Sequence, residues 1–207
     1  MTDCDSFGSS AVTATRYCAP ATPAEIERFT PFLFELLDAS FAEISARFLR
    51  GIEVDDKDNG TPVTQADKQA EAVMRKLIEA RYPKHGIFGE EFGIKESEEV
   101  DGFRYRWILD PIDGTRSFIT NSFLFGTLIA LERDDGAGFR PILSSVSHPA
   151  ARVRTVGSLS GTTLYYDNGI SPLVRPLHVR NCTQLSEATL LATSHWTTGE
   201  QKGEFKS

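Results

Sequence analysis

Two aspartates three residues apart close the run Trp107-Ile108-Leu109-Asp110-Pro111-Ile112-Asp113, and Gly114-Thr115 follows directly. Upstream, Ile87-Phe88-Gly89-Glu90-Glu91 ends a second apolar run in a pair of acids. Carboxylates at the ends of buried strands are costly unless something offsets their charge. Divalent cations do this well, and an all-oxygen set suits Mg²⁺ or Mn²⁺ better than zinc. A metal site beside a Gly-Thr turn points to phosphate chemistry.

Each candidate has a plainer reading. Asp-Pro and Asp-Gly are common turn dipeptides, but a surface turn rarely sets its acids among Trp107, Ile108, Leu109 and Ile112. Asp110, the Ile112 carbonyl and Asp113 can converge on metal ions, and that reading is preferred. Glu90 ends an apolar strand and is read as a ligand, while Glu91 stays open. Glu96, Glu98, Glu99 and Asp101 read as a solvated acidic loop. Gly114-Thr115 is either a simple helix cap or a helix start whose N–H groups face phosphate. Asp67 stands three residues after Thr64, where a first-turn helix acid belongs, and spacing alone gives it no function. Arg116 is a surface arginine or faces an anionic substrate. His85, His148, His178 and His195 show no ligand spacing.

The elements that must position these groups are legible from periodicity and caps. Thr22-Pro23-Ala24-Glu25 is a capping box with proline at the first helical position. Ile26, Phe29, Leu33, Leu36, Leu37, Ser40, Ile44 and Phe48 follow at helical spacing. Pro31 either kinks this helix or marks its true start, and Gly51 ends it. Ile52 to Lys57 reads as a short strand and Asp58-Asn59-Gly60 as a turn. Thr64 opens a second helix to about Arg81, with Ala70, Val73, Met74, Leu77 and Ile78 as its apolar face. Strands are expected over Gly86–Phe88, Arg104–Leu109, Phe123–Glu132, Arg140–Ser147, Val153–Val156, Thr162–Tyr166 and Thr189–Ala192. Helices followed by a strand meander indicate an α+β fold with helices layered on an antiparallel sheet.

Composition narrows the function. The 207-residue chain is 40% hydrophobic, 25% charged and carries a net charge of −7, which argues against a nucleic-acid partner held by a basic surface. Bound cations would have to reverse that field locally for an anionic substrate. Cys4, Cys18 and Cys182 form no zinc pattern and read as free thiols of a reducing, cytoplasmic setting. No apolar run approaches membrane-spanning length. Residues 1–21, polar and rich in Ser, Thr and Gly, are expected to be a flexible tail, and 22–207 the folded domain.

Taken in order, Val63-Thr64-Gln65-Ala66-Asp67, Gly89-Glu90-Glu91 and Trp107 to Thr115 resemble the motifs of the inositol monophosphatase family of Mg²⁺-dependent phosphatases. The resemblance runs from about residue 25 to about residue 195. Gly89 to Gly93, Gly114 to Ile119, Gly126 to Leu131, Val179 to Cys182 and Leu185 to Leu190 look most like the histidinol-phosphate phosphatase branch. It implies the layered αβαβα sandwich shared with fructose-1,6-bisphosphatases, two or three Mg²⁺ ions (or Mn²⁺), and a homodimer. It implies that Glu90 binds a metal and helps hold the attacking water. Asp110 would bridge two metals, with the Ile112 carbonyl and Asp113 completing the set. Gly114, Thr115 and Arg116 would hold the substrate phosphate, and Asp67 would support the water through Thr115. The implied reaction is hydrolysis of L-histidinol phosphate. Inositol monophosphates and 3′-phosphoadenosine 5′-phosphate are handled by relatives, and a non-catalytic regulatory subunit is the alternative of a different kind. Family members continue into a second α/β half with a Trp-Asp-x-Ala-Ala-like motif. No such motif precedes Ser207, so a truncated member is expected.

Overall fold

The computed structural model describes residues 20–51, 54–56, 62–167 and 169–189. Contacts divide the chain into two units, Met1–Leu177 and His178–Ser207. In the first, helix α1 (Pro23–Ser45) starts at the expected capping box, with Thr22 and Glu25 bonding reciprocally. The helix runs unbroken through Pro31, which is exposed. Short strands β1 (Val54–Asp56) and β2 (Pro62–Thr64) pair antiparallel. Helix α2 (Gln65–Arg81) is capped by Thr64 and stopped at Tyr82-Pro83.

Strands β3 (Gly86–Gly89), β4 (Gly93–Lys95), β5 (Glu99–Val100) and β6 (Phe103–Asp113) follow. A single helical turn, α3 (Thr115–Ile119), leads into β7 (Gly126–Asp134), β8 (Arg140–His148), β9 (Val153–Ser158), β10 (Gly161–Tyr166) and β11 (Leu173–Leu177). The strands form one sheet in the order β11-β10-β9-β8-β7-β6-β3-β4, with β5 paired to the start of β6. In the second unit, the described residues carry one 3₁₀ turn, Leu185–Glu187, where Arg180 donates to the Glu187 carbonyl.

The expected antiparallel sheet has one exception: β3 runs parallel to β6, with Gly89 beside Leu109. The chain leaves β3 through the three-residue turn Glu90-Glu91-Phe92 and returns as β4 on the outer edge. It then turns again at Asp101-Gly102, both at positive φ as a tight two-residue hairpin requires. The inner edge of β3 is thereby left for β6. The strand boundaries shift as well. β6 reaches Asp113 rather than Leu109, and β7 begins at Gly126, since Phe123 and Leu124 lie exposed before it. The expected Thr189–Ala192 strand and the Asp58-Asn59-Gly60 turn lie outside the described residues.

Both long helices cover one face of the sheet. Phe29, Phe32, Leu33, Leu36 and Leu37 of α1, with Met74 and Ile78 of α2, pack on Ile87, Tyr105, Trp107, Leu109, Ile129, Leu131, Leu143 and Val156. The alternation along β6 follows strand geometry, with Tyr105, Trp107 and Leu109 turned to the helices and Arg104, Arg106 and Ile108 less buried. A second apolar cluster of Ile44, Ala66, Ala70, Ile112, Phe118 and Phe125 lies where α1, α2, β6 and α3 meet. It anchors the chain on both sides of Asp113.

Candidate active site

The parallel pairing of β3 and β6 brings their C-terminal ends together. Glu90 is the first residue beyond β3, and its N–H donates to the Leu109 carbonyl at 3.2 Å. Asp110 is the next residue on β6, so Glu90, just past the end of β3, stands beside Asp110. Between Asp110 and Asp113 the β6–β7 register shifts. Thr127 fixes this irregular stretch by donating its buried hydroxyl to the Pro111 carbonyl at 2.8 Å. The shift leaves Ile112 buried in the second apolar cluster and Asp113 exposed. Both aspartates are thus at a strand end and not in a surface turn.

Gly114 caps α3 in the left-handed conformation, φ 87°, and an added Cβ would lie 3.2 Å from the Leu124 carbonyl oxygen. Glycine answers both constraints. The Thr115 hydroxyl donates to the Ile112 carbonyl at 3.1 Å, which leaves that oxygen a second lone pair. Arg116 is exposed on the same short helix. Beneath it, Phe118 stacks on Phe48 with centroids 5.4 Å apart.

Asp67 is buried at the third position of α2. Its carboxylate accepts from the Thr64 N–H at 2.8 Å and the Thr64 hydroxyl at 2.6 Å, the capping role its spacing indicates. It is also close enough to act on Asp110. Burial first, then the charge of Glu90 and a hydrogen bond that protonated Asp110 gives to Glu90, then the charges of Asp113 and Asp67, push the Asp110 carboxyl up to about 7. Four carboxylates therefore share one electrostatic neighbourhood. Among the described residues, no three His, Cys, Asp or Glu side chains stand close enough together to hold one metal ion. Like charges at this density repel, so an open arrangement is what electrostatics dictates.

The residues fit a hard divalent cation. The Asp110 Oδ1 is buried without a hydrogen-bond partner among the described residues, and buried polar atoms rarely stay so. The donors are all oxygen, and the local charge excess is negative.

The sequence reading missed Glu71. It lies one turn beyond Asp67, is 0% exposed, and accepts the N–H groups of Glu91 at 2.7 Å and Phe92 at 3.1 Å. The available signal was its place beside Ala70 and Met74 on the apolar face of α2, with Arg75 four residues on. Such a pair reads as surface charge unless its burial is known. Glu91 thus contributes its backbone to this contact. Of the histidines, His85 is buried in the aromatic core, while His148 and His178 are exposed.

A family model described as the inositol monophosphatase family matches residues 25–206. The chain belongs to the inositol monophosphatase family. It is 39% identical over 170 residues to a chloroplastic bifunctional phosphatase, IMPL2, of Arabidopsis thaliana, covering 82% of this chain and 45% of that protein. It is 33% identical over 165 residues to a histidinol-phosphatase of Streptomyces coelicolor, covering 77% and 58% respectively. Among solved structures, an inositol monophosphatase from Zymomonas mobilis is 36% identical with a TM-score of 0.57, over 76% of this chain and 55% of that one. The chain thus spans about half the length of the proteins it matches. The layered α+β fold is that of these phosphatases. Among the described residues no helix is long and apolar enough to cross a membrane.

Proposed function

We propose that this chain carries the metal-binding half of a Mg²⁺-dependent phosphate monoester hydrolase acting on L-histidinol phosphate. The observation behind the reading is the convergence of Glu90, Asp110 and Asp113 at the paired ends of β3 and β6, with Asp110 Oδ1 buried and unpartnered. Glu90, Asp110, Asp113 and the Ile112 carbonyl are the groups that would hold the cations. Bound Mg²⁺ would acidify a water and neutralise charge on the phosphoryl oxygens.

The chain's own residues do the rest by placement. Gly114 lets the backbone approach a phosphate closely, and Thr115 and Arg116 offer it N–H groups, a cationic side chain and, once turned away from the Ile112 carbonyl, the Thr115 hydroxyl. At five residues, α3 supplies only its local N–H groups and little axial dipole. Asp67 keeps the end of α2 capped against the same site.

The histidinol-phosphate assignment draws on the branch-like motifs and on the Streptomyces relative. Inositol 1-phosphate is the second reading, favoured by the 36% identity to the Zymomonas enzyme. Phosphate release from the two substrates, side by side and with and without Mg²⁺, separates them. Mg²⁺-dependent release from histidinol phosphate in excess over inositol 1-phosphate is expected. The reverse preference would move the chain to the second reading.

A further inference from the structure

We propose that Glu71 is a positioning residue for Glu90, holding the turn that aims it through a buried carboxylate–arginine clip. This rests on the reading of Glu90 as a metal ligand. Glu71 grips consecutive backbone amides with separate oxygens: Oε2 takes the Glu91 N–H and Oε1 the Phe92 N–H. Oε1 also accepts from Arg75 Nε at 2.7 Å, and Arg75 reaches on to donate to the Gly93 carbonyl. On the near side, Gly89 lies against the carboxylate so tightly that a Cβ would stand 1.9 Å from Glu71 Oε1. The Glu90 N–H is itself tied to Leu109. Positions 89 to 93 are therefore all fixed around one residue, Glu90.

A three-residue hairpin turn does not need this. Water satisfies the amides of an exposed turn, whereas burying a carboxylate costs several kcal/mol before any partner is found. The arrangement makes sense where direction matters. It also makes sense electrostatically, because Arg75 neutralises Glu71. The clip can hold Glu90 without adding net charge to Asp67, Asp110 and Asp113. Losing a group that orients a ligand typically costs about 10–100-fold in metal affinity.

The test uses the chain with Glu71→Gln, Gly89→Ala and Glu90→Gln. Gln at 71 opposes an N–H₂ to one backbone N–H, and Ala at 89 pushes the carboxylate out of its seat. Mg²⁺ binding is followed by calorimetry, fold by circular dichroism, and the Glu91 and Phe92 amides by hydrogen exchange. Expected for both clip variants are faster exchange at those amides and Mg²⁺ affinity weakened about tenfold or more. A merely structural role would lower the melting temperature and leave the folded protein's Mg²⁺ affinity at the parent value, which overturns the proposal. If Glu71→Gln does not fold, Gly89→Ala carries the decision by the same readouts. Glu90→Gln separates the two readings. If it binds Mg²⁺ like the parent, the ligand assignment falls and this inference with it. If it weakens binding while both clip variants do not, only this inference falls.

Discussion

His85 braces the base of the two strands that deliver Glu90 and Asp110, and its titration should be visible in stability. The ring stacks between Tyr82 (centroids 4.6 Å apart) and Tyr105 (5.0 Å), and its Nδ1 accepts from Trp107 Nε1–H at 3.1 Å. Burial, reinforced by the charges of Arg28 and Lys95, pushes the imidazole down to about 4 from 6.5. Protonation would also set an N–H against the indole N–H. The folded pKa is depressed, so between about pH 4 and 6.5 the unfolded chain holds more proton at this site. Stability therefore rises with pH across that window and is lost as pH falls. The linkage relation gives a loss of about 2 kcal/mol by pH 5 and about 3 kcal/mol near pH 4. Urea unfolding at pH 7.5 and pH 5 measures it, with His85→Gln as the reference. Gln still offers Trp107 an oxygen acceptor and does not titrate. Other groups titrate in both proteins, so the difference between the two pH-dependent losses isolates His85. The parent should lose about 2 kcal/mol more than the variant between those pH values. Equal losses would refute the reasoning.

If Asp113 holds a cation as proposed, Asp113→Asn should reduce Mg²⁺-dependent phosphate release at least about a hundredfold; near-parental turnover would remove Asp113 from the metal set. Gly114→Ala should cost about 1–2 kcal/mol for forcing a side chain into the left-handed region and raise KM for the phosphate substrate, checked by urea unfolding and steady-state kinetics. Arg133→Met should destabilise by about 3 kcal/mol, because Glu25, which Arg133 holds through contacts of 2.7 and 2.8 Å, loses its buried cation. Adding Glu25→Gln should recover part of that loss, and an additive second loss would show that the pair is not coupled.

What could be read from the chain depended on how local its cause was. Both long helices follow from capping boxes and periodicity, and Thr22-Glu25 and Thr64-Asp67 cap them as their spacing indicates. Pro31 could not be placed beforehand, because an exposed proline in the third turn of a helix anchored by Phe29, Phe32 and Leu33 is tolerated. The Arg104, Arg140, Val153 and Thr162 strands were visible as apolar alternation. Gly93–Lys95 and Glu99–Val100 were not, being too short to show a period. Leu173–Leu177 was hidden by Pro176, whose missing N–H is harmless only because this strand lies at the sheet edge. The candidate ligands were legible as residue types. Glu71 was not, since its role is set by a turn twenty residues away.

The parallel pairing of β3 with β6 is the step that turns these residues into one site. Were β3 reversed over the same stretch of β6, its last residue would sit opposite Arg106 instead of Leu109, which follows from the observed span Gly86–Gly89 against Arg106–Leu109. At about 3.3 Å per residue, Glu90 would then lie more than about 10 Å from its present place beside Asp110. Oxygen ligands bind Mg²⁺ at about 2.0–2.1 Å, so no side-chain rotation could restore a shared cation. The direction of β3 is decided by the β4–β5 excursion, which carries the chain out to the edge and back before β6 begins. That excursion contributes no candidate ligand of its own. Its short hairpins nonetheless set the geometry on which any metal chemistry of Glu90, Asp110 and Asp113 depends, and the Glu71–Arg75 contact grips the excursion at its first turn.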